Sequence, residues 1–469
     1  MTAPVNVLPD LRDGGFRADA GAGVGAGAWH AGGQGAARDP WAIWRRLVVD
    51  ALAVLAILVH TGTLVAFPQK LAGGGAVPWT GYVWAGGALL SFVMVALGPW
   101  RVARAAATAW PILALTVWAA ASLTWSVAPY ETLRGVVYLA ATHALAFTLA
   151  ACFSWRRLIT LVAVTLGGLV TASVAVAVLA PGLGRMTEIH PGAWSGLWGE
   201  KQTMSIQAGV ALAASVGLFA LGRWRALAAV FALVAVVAVI GTTGRTAILM
   251  SGLGVAVALW AWTMAQDRSL AVLATWSALL AGAGVAALFA GGAEWLLALL
   301  GRGSDLTGRT EVWNAVRDLS AVRPNEGWGF AAIWRGQDEM TAPMQWVMDK
   351  TGFTPANAHN SWLDAQVALG FVGLALLVVA MAWTWLNLIA RLWTRGRHVA
   401  FAAGVLAVIS FICFTETVLL TAMDLQWLLV VTIGTKLALG KAGLMDDDLP
   451  APRRPRLEDD GAVWVHDAR

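Results

Sequence analysis

Apolar residues in this chain come as unbroken runs, not as the alternation of a strand or the single face of a surface helix. The runs cover roughly residues 47–67, 81–98, 106–123, 135–153, 158–180, 203–221, 226–241, 246–264, 270–291, 363–390, 399–416 and 424–440. A run of about 20 apolar residues reads as a membrane-spanning helix, because a helix satisfies its own backbone in hydrocarbon. The pattern predicts an all-α, polytopic membrane protein with about 12 transmembrane helices. One interval breaks the rhythm: residues 301–358, between the ninth and tenth runs, are polar and predict one large loop. The chain thus divides into a tail at 1–40, transmembrane helices 1–9 at 41–300, the loop at 301–358, helices 10–12 at 359–441 and a second tail at 442–469. The first tail is rich in Gly and Ala and lacks the apolar stretch of a signal peptide. The second mixes Asp446, Asp447 and Asp448 with Arg453, Arg454 and Arg456. Both read as disordered and cytoplasmic.

Composition agrees with the pattern: 58% of residues are hydrophobic and 13% charged, where a soluble domain carries about 25% charged residues. The distribution of charge gives the orientation. Arg101 and Arg104, Arg156 and Arg157, Arg223 and Arg225, Arg268, and Arg391, Arg395 and Arg397 all fall in loops that are cytoplasmic if the N-terminus is inside. That is the bias of the positive-inside rule. The net charge of +5 is then an attraction to anionic lipid, and no nucleic-acid partner is needed to account for it. Cys152 and Cys413 lie within apolar segments and lack zinc-ligand spacing, so neither a metal site nor a structural disulfide is expected. Many of the 27 Trp residues, among them Trp79, Trp100, Trp125, Trp155 and Trp224, stand near the ends of runs. That is the distribution of an interfacial belt; a few in outer loops have the alternative of stacking on sugars.

Cations on the outer side break the bias and so carry information. Lys201, Arg245 and Arg309 stand there, each beside a predicted helix start. The tetrapeptide Thr-Gly-Arg-Thr occurs twice, at 243–246 and 307–310. A helix N-terminus bears partial positive charge and free N–H groups, so a bare Arg there is disfavoured and a bound anion reverses the sign. Free N–H groups plus a guanidinium fork make a phosphate site. Pairing with Glu200 and Glu311, or with lipid headgroups, is the alternative.

The second informative string is His359-Asn360-Ser361, which reads H-N-x9-G-x2-G through Gly370 and Gly373 and opens the tenth run. Asn360 or Ser361 can cap that helix. An imidazole beside a helix N-terminus has its charged form disfavoured, and a neutral imidazole accepts a proton. A merely structural His is the competing reading, and it is preferred for His60 and His143, inside the first and fourth runs. Glu416 and Asp424 bracket the outer hairpin between runs eleven and twelve, where they either orient the neighbouring cations or cap helices. Asp364 follows His359 closely, but not at a spacing that implies a pair.

These motifs together resemble the O-antigen ligase and Wzy-type polysaccharide polymerase superfamily over residues 115–430. Besides the His359 string, Arg245 with Leu249 resembles an R-x3-L pattern, and Gly192 to Lys201 resembles a G-x-W-x-G-L segment ending near a basic residue. Ser122 to Ser126 resembles an S-x-x-W-S loop, Arg309 with Trp313 an R-x3-W element, and Pro324 to Gly329 a P-x2-G-x-G element. Gln202 departs from the pattern, standing where relatives often carry Asn.

The resemblance implies a GT-C-like, metal-independent, inverting glycosyltransferase of the bacterial inner membrane that needs no cofactor and faces the periplasm. Its implied donor is a glycan on undecaprenyl diphosphate, and its acceptor a second glycan (polymerase) or lipid A-core (O-antigen ligase). His359 would be the catalytic base. Arg245, Arg309 and Lys201 would hold the diphosphate, with Asn360, Glu416, Asp424 and Trp313 in support. The S-x-x-W-S and G-x-W-x-G-L segments resemble the exopolysaccharide branch, which favours the polymerase. A lipid-linked-sugar transporter or flippase is the rival of another class; it calls for two similar halves with interrupted helices, but no such repeat is present and the distinctive polar residues lie at one face.

Overall fold

The computed structural model describes residues 40–75, 77–188, 190–222, 224–267, 269–280, 282–284, 309–334, 341–392 and 396–440. Both tails, most of the ninth apolar run after residue 280, the positions of Arg223, Arg268 and Arg395, and two parts of the large loop lie outside them. The chain divides into two units, Met1–Leu47 and Val48–Arg469. Of the first, the described residues are the exposed start of the first helix. Everything below concerns the second.

Among the described residues the architecture is all-helical. In chain order the helices are α1 (Pro40–His60), α2 (Thr63–Leu71), α3 (Thr80–Val93), α4 (Pro99–Thr108), α5 (Trp110–Ala121), α6 (Pro129–Cys152), α7 (Trp155–Leu179) and α8 (Pro181–Gly184). Then come α9 (Lys201–Ala220), α10 (Arg225–Gly241), α11 (Arg245–Met264), α12 (Arg309–Val322), α13 (Ala342–Thr351), α14 (Ser361–Leu392), α15 (Val399–Ile412) and α16 (Leu425–Leu439). Among the described residues, six helices are long and apolar enough to cross a membrane, or up to eight if each bent pair is one span. The first bent pair joins α1 to α2 at 58°, and the second joins α4 to α5 at 87°. Two of the apolar runs are therefore broken helices, and others are shorter than a full crossing. The run at 399–416 is helical only to Ile412, about 21 Å at 1.5 Å per residue, against a hydrocarbon core of about 30 Å.

Burial separates the centre from the periphery. α15 and α16 are buried almost throughout, and α9 nearly so. α3 and α10 instead expose Leu89, Phe92, Val93, Leu233 and Ile240. Polar breaks, not amphipathic faces, delimit these helices, as expected where lipid replaces water. α11 and α9 both pack on α15. Close approach depends on small residues: a Cβ at Gly254 would stand 2.4 Å from Val408, and one at Gly217 2.5 Å from Phe401. Such contacts are the means of helix association in membranes. They also fix direction. Gly209 meets Val408 while Gly217 meets Phe401, so α9 runs antiparallel to α15, as α11 does through Gly254 and Ala258. The N-termini of α9 and α11 and the C-terminus of α15 therefore lie at one end of the helix group.

α14 is broken at Gly370, whose φ of 66° and ψ of −168° leave the helical region. The freed backbone groups find partners in residues 324–329. Phe371 N–H donates to Pro324 O at 2.7 Å, Trp328 N–H to Val367 O at 3.1 Å and Gly329 N–H to Ala368 O at 2.9 Å. A Cβ on Gly370 would lie 2.1 Å from Asn325 O. The two glycine motifs are thus one interlock. The Ser122–Ser126 stretch completes it: Trp125 Nε1–H donates to Glu326 O at 3.0 Å, Val127 N–H to Trp328 O at 3.1 Å and Phe330 N–H to Ser122 Oγ at 3.0 Å.

Candidate active site

His359 stands one residue before the cap of α14, in the left-handed region with φ 48°. For a residue with a Cβ this is sparsely populated backbone, and the neighbours hold it there. Asn357 Oδ1 accepts the His359 N–H at 2.8 Å, Trp313 Nε1–H donates to Ala358 O at 2.9 Å, and Asp364 Oδ1 accepts the Ala358 N–H at 3.2 Å. Asn360 is the helix cap: its Oδ1 accepts the N–H groups of Trp362 and Leu363 at 3.0 and 3.1 Å, and its amide donates to Phe414 O.

Ser361 ties this turn to the hairpin between α15 and α16. Its buried hydroxyl donates to Glu416 O at 2.9 Å and accepts the N–H groups of Val418 and Leu419 at 2.9 and 3.1 Å. Glu416 is thereby fixed beside His359. Its Oε2 lies 3.0 Å from His359 Nδ1, and its Oε1 accepts from Arg309 Nη2 at 2.5 Å. One carboxylate thus joins the imidazole of the H-N string to the guanidinium at the start of α12. A carboxylate facing Nδ1 selects the tautomer with the proton there and leaves the Nε2 lone pair as the acceptor, the arrangement of a base oriented by a third group. Only Nη2 of Arg309 is engaged by Glu416, so further N–H donors of the fork remain.

The sequence left two roles open for Glu416 and Asp424, and the structure separates them. Glu416 orients the cation and the imidazole. Asp424 caps α16, accepting the N–H groups of Gln426 and Trp427 at 2.8 and 3.1 Å. Arg309 pairs with Glu416 and not with the nearby Glu311 of its own helix. Asp364 supports the backbone before His359 and makes no direct pair with its ring.

Arg245 and Lys201 stand at the same end of the helix group. Each opens its helix, α11 or α9, and neither start has a side-chain cap hydrogen bond. Arg245 is exposed and no described residue pairs with it. Trp194 N–H donates to Gly241 O at 2.9 Å, which ties the Gly192–Lys201 segment to the turn before Arg245. Burial pushes the His190 imidazole below its ordinary value; Lys201 adds to that and Glu200 opposes it. No hydrogen bond or ion pair among the described residues joins either cation to His359.

The sequence reading missed Lys70, which holds the same segment: its Nζ donates to Ser195 Oγ at 2.7 Å, Gly196 O at 2.9 Å and Trp198 O at 2.8 Å. As an outer-side cation it carried the signal that singled out Lys201. His143 is structural, set between the Trp427 indole and the Thr116 hydroxyl, and His60 bonds Ala56 O of its own helix. The Trp belt divides. Trp79, Trp100 and Trp224 are exposed, whereas Trp155 and Trp198 are buried. Among the described residues no three His, Cys, Asp or Glu side chains group as a metal site would need.

Residues 227–378 match the family model described as O-Antigen ligase. The match spans Arg245, Arg309, Trp313, His359 and Asn360. Over that third of the chain the protein is similar to the O-antigen ligase and Wzy-type superfamily. It is also similar to the exopolysaccharide production protein ExoQ of Rhizobium meliloti, 28% identical over 343 residues that cover 69% of this chain and 76% of that protein. The apolar helices, together with this similarity, mark a multi-pass membrane protein.

Proposed function

We propose that this chain is an inverting, metal-independent glycosyltransferase that uses a glycan on undecaprenyl diphosphate as donor at the periplasmic face of the bacterial inner membrane. The observation that carries this reading is the convergence of Arg309 and His359 on the two oxygens of Glu416. His359 Nε2 takes the proton of the acceptor hydroxyl. The freed oxygen attacks the anomeric carbon from the side opposite the leaving group. The anomeric C–O bond breaks, and undecaprenyl diphosphate departs with the electron pair. Cations must meet the charge on that diphosphate, a role this reading gives to Arg309 and Arg245. The uncapped starts of α9 and α11 offer free N–H groups beside Lys201 and Arg245, a suitable setting for phosphate oxygens. α14 and α16 differ, since Asn360 and Asp424 already occupy their N–H groups.

Similarity to a protein named for exopolysaccharide production favours polymerase action, with one lipid-linked repeat as acceptor. The family description favours a ligase that transfers to lipid A-core. Incubating the purified protein with lipid-linked repeat alone tests both. A ladder of longer glycans means polymerase. Transfer only after lipid A-core is added means ligase, and transfer in neither mixture overturns the reading.

A further inference from the structure

Beside Asn357 and Thr417, the neighbours of the His359 turn and of Glu416, a cavity of about 550 Å³ opens between α3, the first turns of α6, residues 330–334, α14 and the 417–423 hairpin. Its volume falls within the roughly 300–1,000 Å³ of small-molecule sites. We propose that this cavity is a sugar-binding subsite that holds a glycan ring next to His359, an inference that rests on the glycosyltransferase reading.

The wall decides the ligand class. Trp84, Tyr138 and Trp334 supply aromatic surface, and Glu131 and Asp364 supply carboxylates. Asp364 Oδ1 is occupied by the Trp334 indole N–H at 2.6 Å and by Ala358 N–H, while Oδ2 meets no donor among the described residues. Thr417 Oγ1 is buried without a hydrogen-bond partner. An unpartnered acceptor and hydroxyl in one wall suit a ligand rich in hydroxyl groups, each able to donate and to accept. A lipid chain would leave these groups desolvated and unbonded, at a cost of about 1–3 kcal/mol each. A diphosphate would meet two carboxylates and one guanidinium, Arg134, which already pairs with Glu131. The cavity therefore suits the sugar, and the cations at the helix starts suit the phosphates. Asp364 links the two functions, because it lines the cavity while its Oδ1 supports the backbone beside His359.

The test uses the full chain in lipid nanodiscs, free of glycoside detergents, with the oligosaccharide repeat released by mild acid from the host's lipid-linked donor as probe. Asp364→Asn keeps an oxygen for Trp334 and Ala358 and replaces the other with an amide. Asp364→Asn and Thr417→Val are each expected to weaken oligosaccharide binding by about tenfold, the loss of a hydrogen bond. His359→Ala is expected to bind as wild type while failing to transfer. Thr417→Val keeps the inference open to refutation should Asp364→Asn fail to fold. Wild-type protein that transfers glycan but does not bind the repeat, or variants that bind it unchanged, would overturn the subsite. Wild-type protein that binds the repeat but transfers nothing leaves the subsite standing and removes the glycosyltransferase reading instead.

Discussion

Glu416 gives the clearest relation between position and chemistry in this chain. A carboxylate shared by an imidazole and a guanidinium orients the first and anchors the second. Glu416→Gln retains the shape but loses the charge, so transfer is expected to fall about 10- to 100-fold, the loss of one charge-assisted hydrogen bond of roughly 1.5–3 kcal/mol. Protein level and donor affinity should stay near wild type, and turnover at saturating donor is the readout. A wild-type rate would mean that His359 needs no orienting group. Arg309→Lys separates clamp from ion pair. Lys keeps a charge for Glu416 but loses the planar fork proposed to meet Glu416 and a phosphate together. A strong loss of transfer in folded protein is expected, and Lys rescue would reduce Arg309 to a structural partner of Glu416. His359, Arg309 and Arg245 were legible as candidates because each is a titratable or charged residue where a predicted helix begins. The link through Glu416 was not, because residues 359 and 416 meet only when Ser361 binds the 416–419 backbone, a tertiary contact with no sequence period.

At the scale of the element, the break in α14 is an interlock between two segments of the chain. Gly370 provides the conformation, and residues 324–329 provide the partners. Gly370→Ala places a Cβ against Asn325 O at positive φ, a strain of order 1–3 kcal/mol. The purified variant is expected to melt at lower temperature and to transfer poorly, although residue 370 touches no substrate in this account. Unchanged melting and activity would show that the interlock is dispensable. The two glycine motifs were visible in the sequence, but their pairing was not. Apolar periodicity located the helices well and missed the bends at residues 60–63 and 108–110, since hydropathy reports burial in lipid and is blind to axis direction.

At the scale of the whole molecule, the helix directions and the charge bias make one statement. The starts of α9 and α11 and the His359 turn share one end, and the short arginine-bearing loops belong to the other. Reporter fusions at Gln345 and Arg397 should therefore read periplasmic and cytoplasmic, respectively. The same side for both would deny α14 a crossing, and a cytoplasmic signal at Gln345 would put the candidate site on the wrong face for the proposed donor. How many of the shorter apolar helices cross was not legible from run length alone, because α15 is buried by its neighbours whether or not it spans.

The central claim is that His359 is the base and that cations of the chain take the place of a metal. The most direct measurement is transfer of glycan from the proposed undecaprenyl-diphosphate donor by purified wild type and His359→Ala, each with and without EDTA. Wild type should be indifferent to chelator, and His359→Ala should lose about 10²–10⁴-fold, the usual contribution of a general acid–base group, with donor binding retained. Wild-type turnover in His359→Ala, or complete loss of wild-type transfer in EDTA, would contradict it.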